Sequence, residues 1–305
     1  MKKDKKILFL DVKDEKDFYN IQRNLHKEVN SVFIFSSNSR FQKIIRRICL
    51  KFNLNLIKYT FGNWKKELNE YETIIITDSI YNNLISKNIR KNFDGRIIMW
   101  YWNPVVAAFN PSYIETTDCE LWSFDKNDCE KYNMKYNQTY YFNTIKLPEE
   151  KIDNDVYFVG ADKGRLNKLI EIENLFKEHG LKTHFHITKS KKTVENNYQF
   201  EKNIDYNEVL RGISRSKVIL DYVQDGQSGL TQRPMESIFY SKKLITNDKK
   251  IIEYDFYNEK NIFILGYDDI ENIYEFVNSE YSPVDETIIK KYDFANWCKR
   301  IEEGK

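Results

Sequence analysis

The chain has 305 residues, 41% hydrophobic and 31% charged, with a formal net charge of +2. Its 20 Phe, 21 Tyr and 5 Trp are enough to build cores, and its 10 Gly and 5 Pro are few, so disordered, collagen-like and linker-rich architectures are excluded. A length above about 250–300 residues points to two domains. No apolar run approaches the ~18 residues of a spanning helix, and the apolar stretch after the basic start, 7–10, is too short for a signal peptide. Cys49, Cys119, Cys129 and Cys298 show no metal-site spacing, which suits a reducing compartment and a cytoplasmic location. Residues 1–150 carry 24 basic and 19 acidic side chains (net +5), and the remainder 24 − 27, or −3. No nucleic-acid partner is expected from so small an asymmetry. The basic first half leaves room for an anionic ligand or peripheral contact with the inner face of a membrane.

Short β-branched or aromatic runs alternate with amphipathic stretches. In the first half the strands are expected at 7–11, 31–36, 73–77, 96–102 and 120–124, with the clearest helix over 40–52. There Phe41, Ile44, Ile45, Ile48, Cys49 and Phe52 recur at spacings of three and four. The polar stretch 143–155, which contains Pro148, reads as a linker. It divides a first domain, 1–146, from a second, 147–305, whose last helix is placed back against the first. Beyond it the alternation restarts: strand 156–159, helix 166–179 with Gly180 as its C-cap, strand 183–187, helix 206–215, strand 217–223, helix 233–240, strands 244–246 and 262–265, and two final helices. The expectation is an α/β protein of two Rossmann-like parallel-sheet domains with C-terminal helices.

In open parallel sheets ligands bind beyond the carboxyl ends of strands, and two such loops in the second half carry chemistry. In the first, 158–165 (FVGADKGR), Gly160 permits close backbone approach, and Lys163 and Arg165 sit beside a helix N-terminus, where free amides and the helix dipole favour an anion. The loop is neither a Walker loop nor GxGxxG, so a plain turn with solvated cations reads equally well. In the second, 221–236 (DYVQDGQSGLTQRPME), glycines precede a helix opened near Pro234. Arg233 and Glu236, three apart, share a helix face. They could meet a phosphate and a ribose, or form no more than a surface pair worth under ~1 kcal/mol.

Together the two loops resemble the donor domain of GT-B glycosyltransferases, in particular bacterial enzymes that build capsules, lipopolysaccharide or exopolysaccharide. The resemblance covers roughly 154–300 and is carried by YFVGADKGR (157–165), SRSKVILDYVQDGQSGLTQRPMESIFYSKKLITND (214–248) and YDFYNEKNIFIL (254–265). It implies GT-B architecture and a nucleotide-sugar donor held by Gly160, Lys163, Arg165, Gln227, Ser228, Gly229, Arg233 and Glu236. The retaining subgroup has two glutamates eight apart. Here Ser228 stands eight before Glu236, which leaves the stereochemical outcome open.

The first half resembles the family by architecture alone. Trp100, Trp102 and Asn103, at a strand end, form a candidate acceptor platform, since ring faces pack on sugar C–H surfaces; core packing is the other account. An inverting enzyme needs a base for the acceptor hydroxyl, and Asp11 and Asp78, each at a strand end, are the candidates. Cationic side chains at the diphosphate would replace a metal ion, so no metal and no cofactor are expected. Asp153 and Asp155 have Asp-x-Asp spacing but precede their strand, and His184 and His186 lack a third ligand. On helix 40–52, Arg40, Lys43, Arg46, Arg47 and Lys51 oppose the apolar stripe, as a solvated face or as a contact with anionic lipid. The function expected is transfer of a sugar from a nucleotide-sugar donor to a glycan or lipid-linked oligosaccharide acceptor. A non-catalytic donor-binding subunit, or a pyruvyl or glycerol-phosphate transferase on the same scaffold, are the alternatives.

Overall fold

Runs such as Ile-Leu-Phe-Leu-Asp and Thr-Ile-Ile-Ile-Thr have no polar alternation, and every residue in both is buried, as strands covered on both faces require. The computed structural model describes residues 5–12, 17–80, 82–194, 197–224 and 229–304. It divides into one unit of Met1–Gln138 with Trp297–Lys305 and a second of Thr139–Asn296.

In the first unit the strands are β1 (Ile7–Asp11), β2 (Val29–Phe33), β3 (Thr73–Thr77), β4 (Arg96–Tyr101), β5 (Glu120–Ser123) and β6 (Lys135–Tyr136). They form one parallel sheet in the order β2-β1-β3-β4-β5-β6. The helices are α1 (Phe18–Asn24), α2 (Arg40–Lys51), α3 (Asn83–Arg90) and α4 (Lys126–Tyr132). Of these, only α2 has a periodicity long enough to read from sequence. The other three are short, and each is started by a side-chain cap from Asp17, Asn82 or Asp125.

In the second unit the strands are β7 (Asn154–Ala161), β8 (Thr183–Thr188), β9 (Ser216–Asp221), β10 (Lys243–Thr246) and β11 (Ile262–Ile264). These too are parallel, in the order β11-β10-β9-β7-β8. Helices α5 (Leu166–Glu178), α6 (Tyr206–Ser214) and α7 (Gln232–Tyr240) connect them. The two final helices of the sequence reading are instead three short ones, α8 (Ile273–Asn278), α9 (Glu286–Lys291) and α10 (Phe294–Glu303). Pro283 lies in the stretch that separates the first two, and Asp285 caps the second.

The C-terminal residues complete the first unit. Trp297 meets Trp100 edge-on at 5.0 Å and Phe9 at 6.4 Å. Arg96 grips Glu120 with two nitrogens, at 2.7 and 3.0 Å, and donates to the Ile301 carbonyl. That fork holds the Glu120 pKa down to about 2. Arg300 donates to Asn137 at 2.6 Å.

Both sheets reverse direction beside their first strand. The chain goes from β1 to β2 on one side and then to β3 on the other; β7, β8 and β9 repeat the move. Loops leaving the strands on either side of such a reversal diverge and open a crevice. That position lies beyond β1 and β3 in the first unit and beyond β7 and β9 in the second.

Candidate functional site

In the second unit both loops singled out from sequence flank the reversal, one after β7 and one after β9. After β7 the chain passes through two left-handed residues, Lys163 (φ 52°) and Gly164 (φ 84°), before α5 begins. The glycine fits that conformation, which Lys163 adopts at a cost. Four successive amides here, from Lys163 to Leu166, are engaged within the protein. Asp162, 1% exposed, accepts from the Gly164 and Leu166 amides at 3.1 and 2.8 Å. The Lys163 amide donates to Ser190 Oγ and the Arg165 amide to the Asp162 carbonyl. Asp162 thus ties the turn and the first amide of α5 to its carboxylate, and Lys163 and Arg165 supply the loop's cationic side chains.

Those side chains are cationic and crowded. Arg165 is half-buried, its guanidinium 5.4 Å from the Phe158 ring centre, and its Nε is buried with no hydrogen-bond partner. A side chain at Gly160 would come within 3.3 Å of the Arg165 Nη2, so the glycine makes room for the guanidinium. Burial lowers the Arg165 pKa, with the Asp221 and Asp162 charges acting against it. Lys163 remains accessible, yet desolvation, Arg165 and Lys192 all lower its pKa. Cations that repel one another, with a buried donor unpaired, are poised to receive an anion.

At the end of β9, Asp221 is buried, and burial raises its pKa to about 6. It accepts from Thr231 Oγ1 at 2.9 Å, and Thr231 in turn caps α7 by accepting from the Arg233 amide. Gln227 and Ser228 lie outside the described residues; Gly229 is buried just ahead of the cap. On α7, Arg233 pairs with Glu236 as their spacing suggested, but Glu236 is 0% exposed, so the bland surface pair is excluded. The other Glu236 oxygen accepts from Tyr206 at 2.6 Å, and Tyr141 bonds both Tyr206 and Tyr240. Burial pushes the Glu236 and Tyr141 pKa values up. Both carboxylate oxygens are therefore engaged, and a ribose could share Glu236 only through its remaining lone pairs. The phenol network and Asp162 escaped the sequence reading. An Asp before Lys-Gly-Arg carries a turn signal; tyrosines 65 and 99 residues apart carry none.

In the first unit the two candidate carboxylates stand at the other reversal. Asp11 ends β1 and pairs with the buried Arg23 at 2.7 Å; Arg23 also lies 4.1 Å from the Phe9 ring centre and donates to Asn20. Asp78 follows β3 directly. Its oxygens accept from the Trp102 amide at 3.1 Å and from Asn103 Nδ2 at 2.9 Å. Burial raises its pKa, the Asn103 and Trp102 bonds offsetting part of the rise. Of the expected acceptor platform, Trp100 must be withdrawn: at 0% exposed, packed on Trp297, its ring shows no face to a sugar. Trp102 is half-buried against Tyr19, and Asn103 is exposed. Among the described residues no cluster of three or more His, Cys, Asp or Glu side chains could hold a metal ion, and no helix is long and apolar enough to cross a membrane.

No protein-family model matches the sequence, nor does any curated protein. Solved structures do match. Phage T4 β-glucosyltransferase in complex with UDP-glucose is similar at 15% identity and a TM-score of 0.56, covering 98% of both chains. A structure of the DNA-modifying enzyme β-glucosyltransferase gives 15%, 0.58 and the same coverage. Sucrose-phosphate synthase from Thermosynechococcus elongatus gives 9% and 0.51, again over 98% of both chains. The two parallel-sheet units thus have the GT-B glycosyltransferase fold expected from the sequence.

Proposed function

We propose that this protein is a glycosyltransferase that moves a sugar, without a metal ion, from a nucleotide-sugar donor to a lipid-linked surface-glycan acceptor. The observation that carries the donor half is Arg165, a half-buried guanidinium with an unpaired Nε beside Lys163 at the reversal of the second sheet. Glycosyl transfer breaks the bond between the anomeric carbon and the diphosphate oxygen, and negative charge collects on the departing diphosphate. Fixed cations that have already lost part of their hydration stabilise that charge without reorganising. Arg165 and Lys163 are assigned to the diphosphate, and Arg233 and Glu236 to the nucleoside end through the buried network around Tyr206. Asp78 is assigned as the base that takes the acceptor hydroxyl's proton in an inverting displacement. Its raised pKa suits proton transfer better than a carboxylate neutralised by an arginine, as Asp11 is. The neighbours' UDP-glucose makes that the first donor to offer.

The test is thermal shift against UDP, GDP, CDP, dTDP and ADP in EDTA, then product mass with the matching sugar nucleotide. A rise in midpoint with one diphosphate is expected from mass action, lost in Arg165→Ala. No shift with any of the five overturns the donor site. Binding without sugar transfer to any acceptor makes the chain a donor-binding subunit.

A further inference from the structure

Helix α2 carries the apolar stripe expected from its sequence. In the structure only part of that stripe is covered. Ile45, Cys49 and Leu50 pack on the first unit's core, while Phe41 is 71% exposed, Ile44 55%, Ile48 45% and Phe52 62%. At about 100° per residue these four fall within an arc of about 80°, and Leu56 and Tyr59, in the turn Asn55–Thr60, extend the bare surface. Exposed apolar side chains are ordinary singly; a contiguous row of six is not.

The charges round this row are of one sign. Residues 29–66 hold eight basic and no acidic side chains. Arg46 is the exception to their exposure, turned inward over the Phe35 ring and donating to the Ser37 carbonyl, where it pins the underside of the helix. Arg40, Lys43, Arg47 and Lys51 occupy the arc next to the apolar stripe, all exposed, and Lys58 follows beside Tyr59. The surface thus has three sectors: packed, bare apolar, and basic.

We infer that α2 and the turn after it form a docking face for an anionic lipid bilayer, α2 lying in the interface with Phe41, Ile44, Ile48 and Phe52 among the acyl chains. An interfacial helix needs an apolar face to enter the hydrocarbon boundary and a basic flank to meet anionic headgroups. A second copy of the chain fits poorly, because a two-fold contact sets this patch against itself and its charges repel. Duplex DNA would satisfy the charges and leave the phenylalanines and isoleucines in water.

The inference stands apart from the transferase reading, so either can fail alone. The full chain is mixed with vesicles of phosphatidylcholine, alone or with phosphatidylglycerol, and the bound fraction is read by co-sedimentation. Binding is expected only to the anionic vesicles and should weaken with salt. Lys43→Gln with Arg47→Gln should lower partition roughly 25-fold, from about fivefold per basic residue. Ile44→Ser with Ile48→Ser should lose most binding while keeping the thermal midpoint, since both side chains are exposed. The proposal is overturned by no binding to anionic vesicles, by binding that neither double variant weakens, or by a wild-type dimer that Ile44→Ser/Ile48→Ser converts to monomer. Binding to duplex DNA in place of vesicles overturns it too. Arg165→Ala should bind vesicles as the wild type does.

Discussion

At the reversal of the first sheet stand two carboxylates, Asp11 and Asp78. At the same place in the second sheet stand cations, Arg165 and Lys163, with Asp221 buried behind them. The strand orders are alike, each chain going first to one side of its leading strand and then to the other, so topology supplies two similar crevices and no chemistry. The local partners supply it. Asp78 receives an amide and a carboxamide, an environment that holds a carboxylate in place and leaves it basic. Arg165 receives for its Nε no partner at all. On the proposed reading, the first arrangement takes up a proton and the second an anion.

If that contrast is right, the largest effect comes from Asp78. Asp78→Asn should keep the fold and nucleotide affinity and lower turnover on the order of 10²–10⁴-fold, the range for removing a general base. Because burial raises the Asp78 pKa, the acid limb of the wild-type rate profile should lie above the ordinary carboxylate range. A profile unchanged in the variant would move the base elsewhere. Next in size, Arg23→Ala removes the buried guanidinium that Asp11 and Asn20 both accept from. A loss of about 3–5 kcal/mol in denaturant unfolding is expected. A loss under about 1 kcal/mol would mean the pair is as loose as a surface one, and Asp11 would regain its claim as base. On the other side of the contrast, Arg165→Ala should weaken nucleoside diphosphate binding roughly 10–100-fold by calorimetry, the worth of hydrogen bonds to charged groups. Arg165→Lys should recover only part, lacking the planar fork.

Much of this contrast was legible beforehand. Strands 7–11 and 73–77 came out to the residue because short unbroken runs of apolar or β-branched residues have no competing period, and that placed Asp11 and Asp78 at strand ends. Lys163 and Arg165 followed from Gly160 and the helix pattern after it. What stayed hidden depends on distant partners. Trp100 looks like a platform until Trp297, far along the chain, covers it. Phe41 and Ile44 obey the helical period, but a period marks an apolar stripe without saying what lies against it. Nothing in the pattern said that Asp162 folds back on the Gly164 and Leu166 amides.

The smallest effect sharpens the contrast from behind the anion site. Asp221 has a folded pKa of about 6 against 3.8 for the free side chain, so the folded protein holds its proton more tightly than the unfolded chain does. The stability this provides is fully present below about pH 4 and is lost as pH rises through 6. Asp221→Asn removes the titration and can still accept from Thr231. The difference in unfolding free energy between variant and wild type should therefore be flat below pH 4. It should then grow in the variant's favour between pH 4 and 6, by on the order of 2 kcal/mol. A nucleoside diphosphate bound at Arg165 would add negative charge beside the carboxyl and raise its pKa further, moving the rise to higher pH. A window that stays fixed when nucleotide is added would separate Asp221 from the anion site and leave Arg165 and Lys163 to act alone.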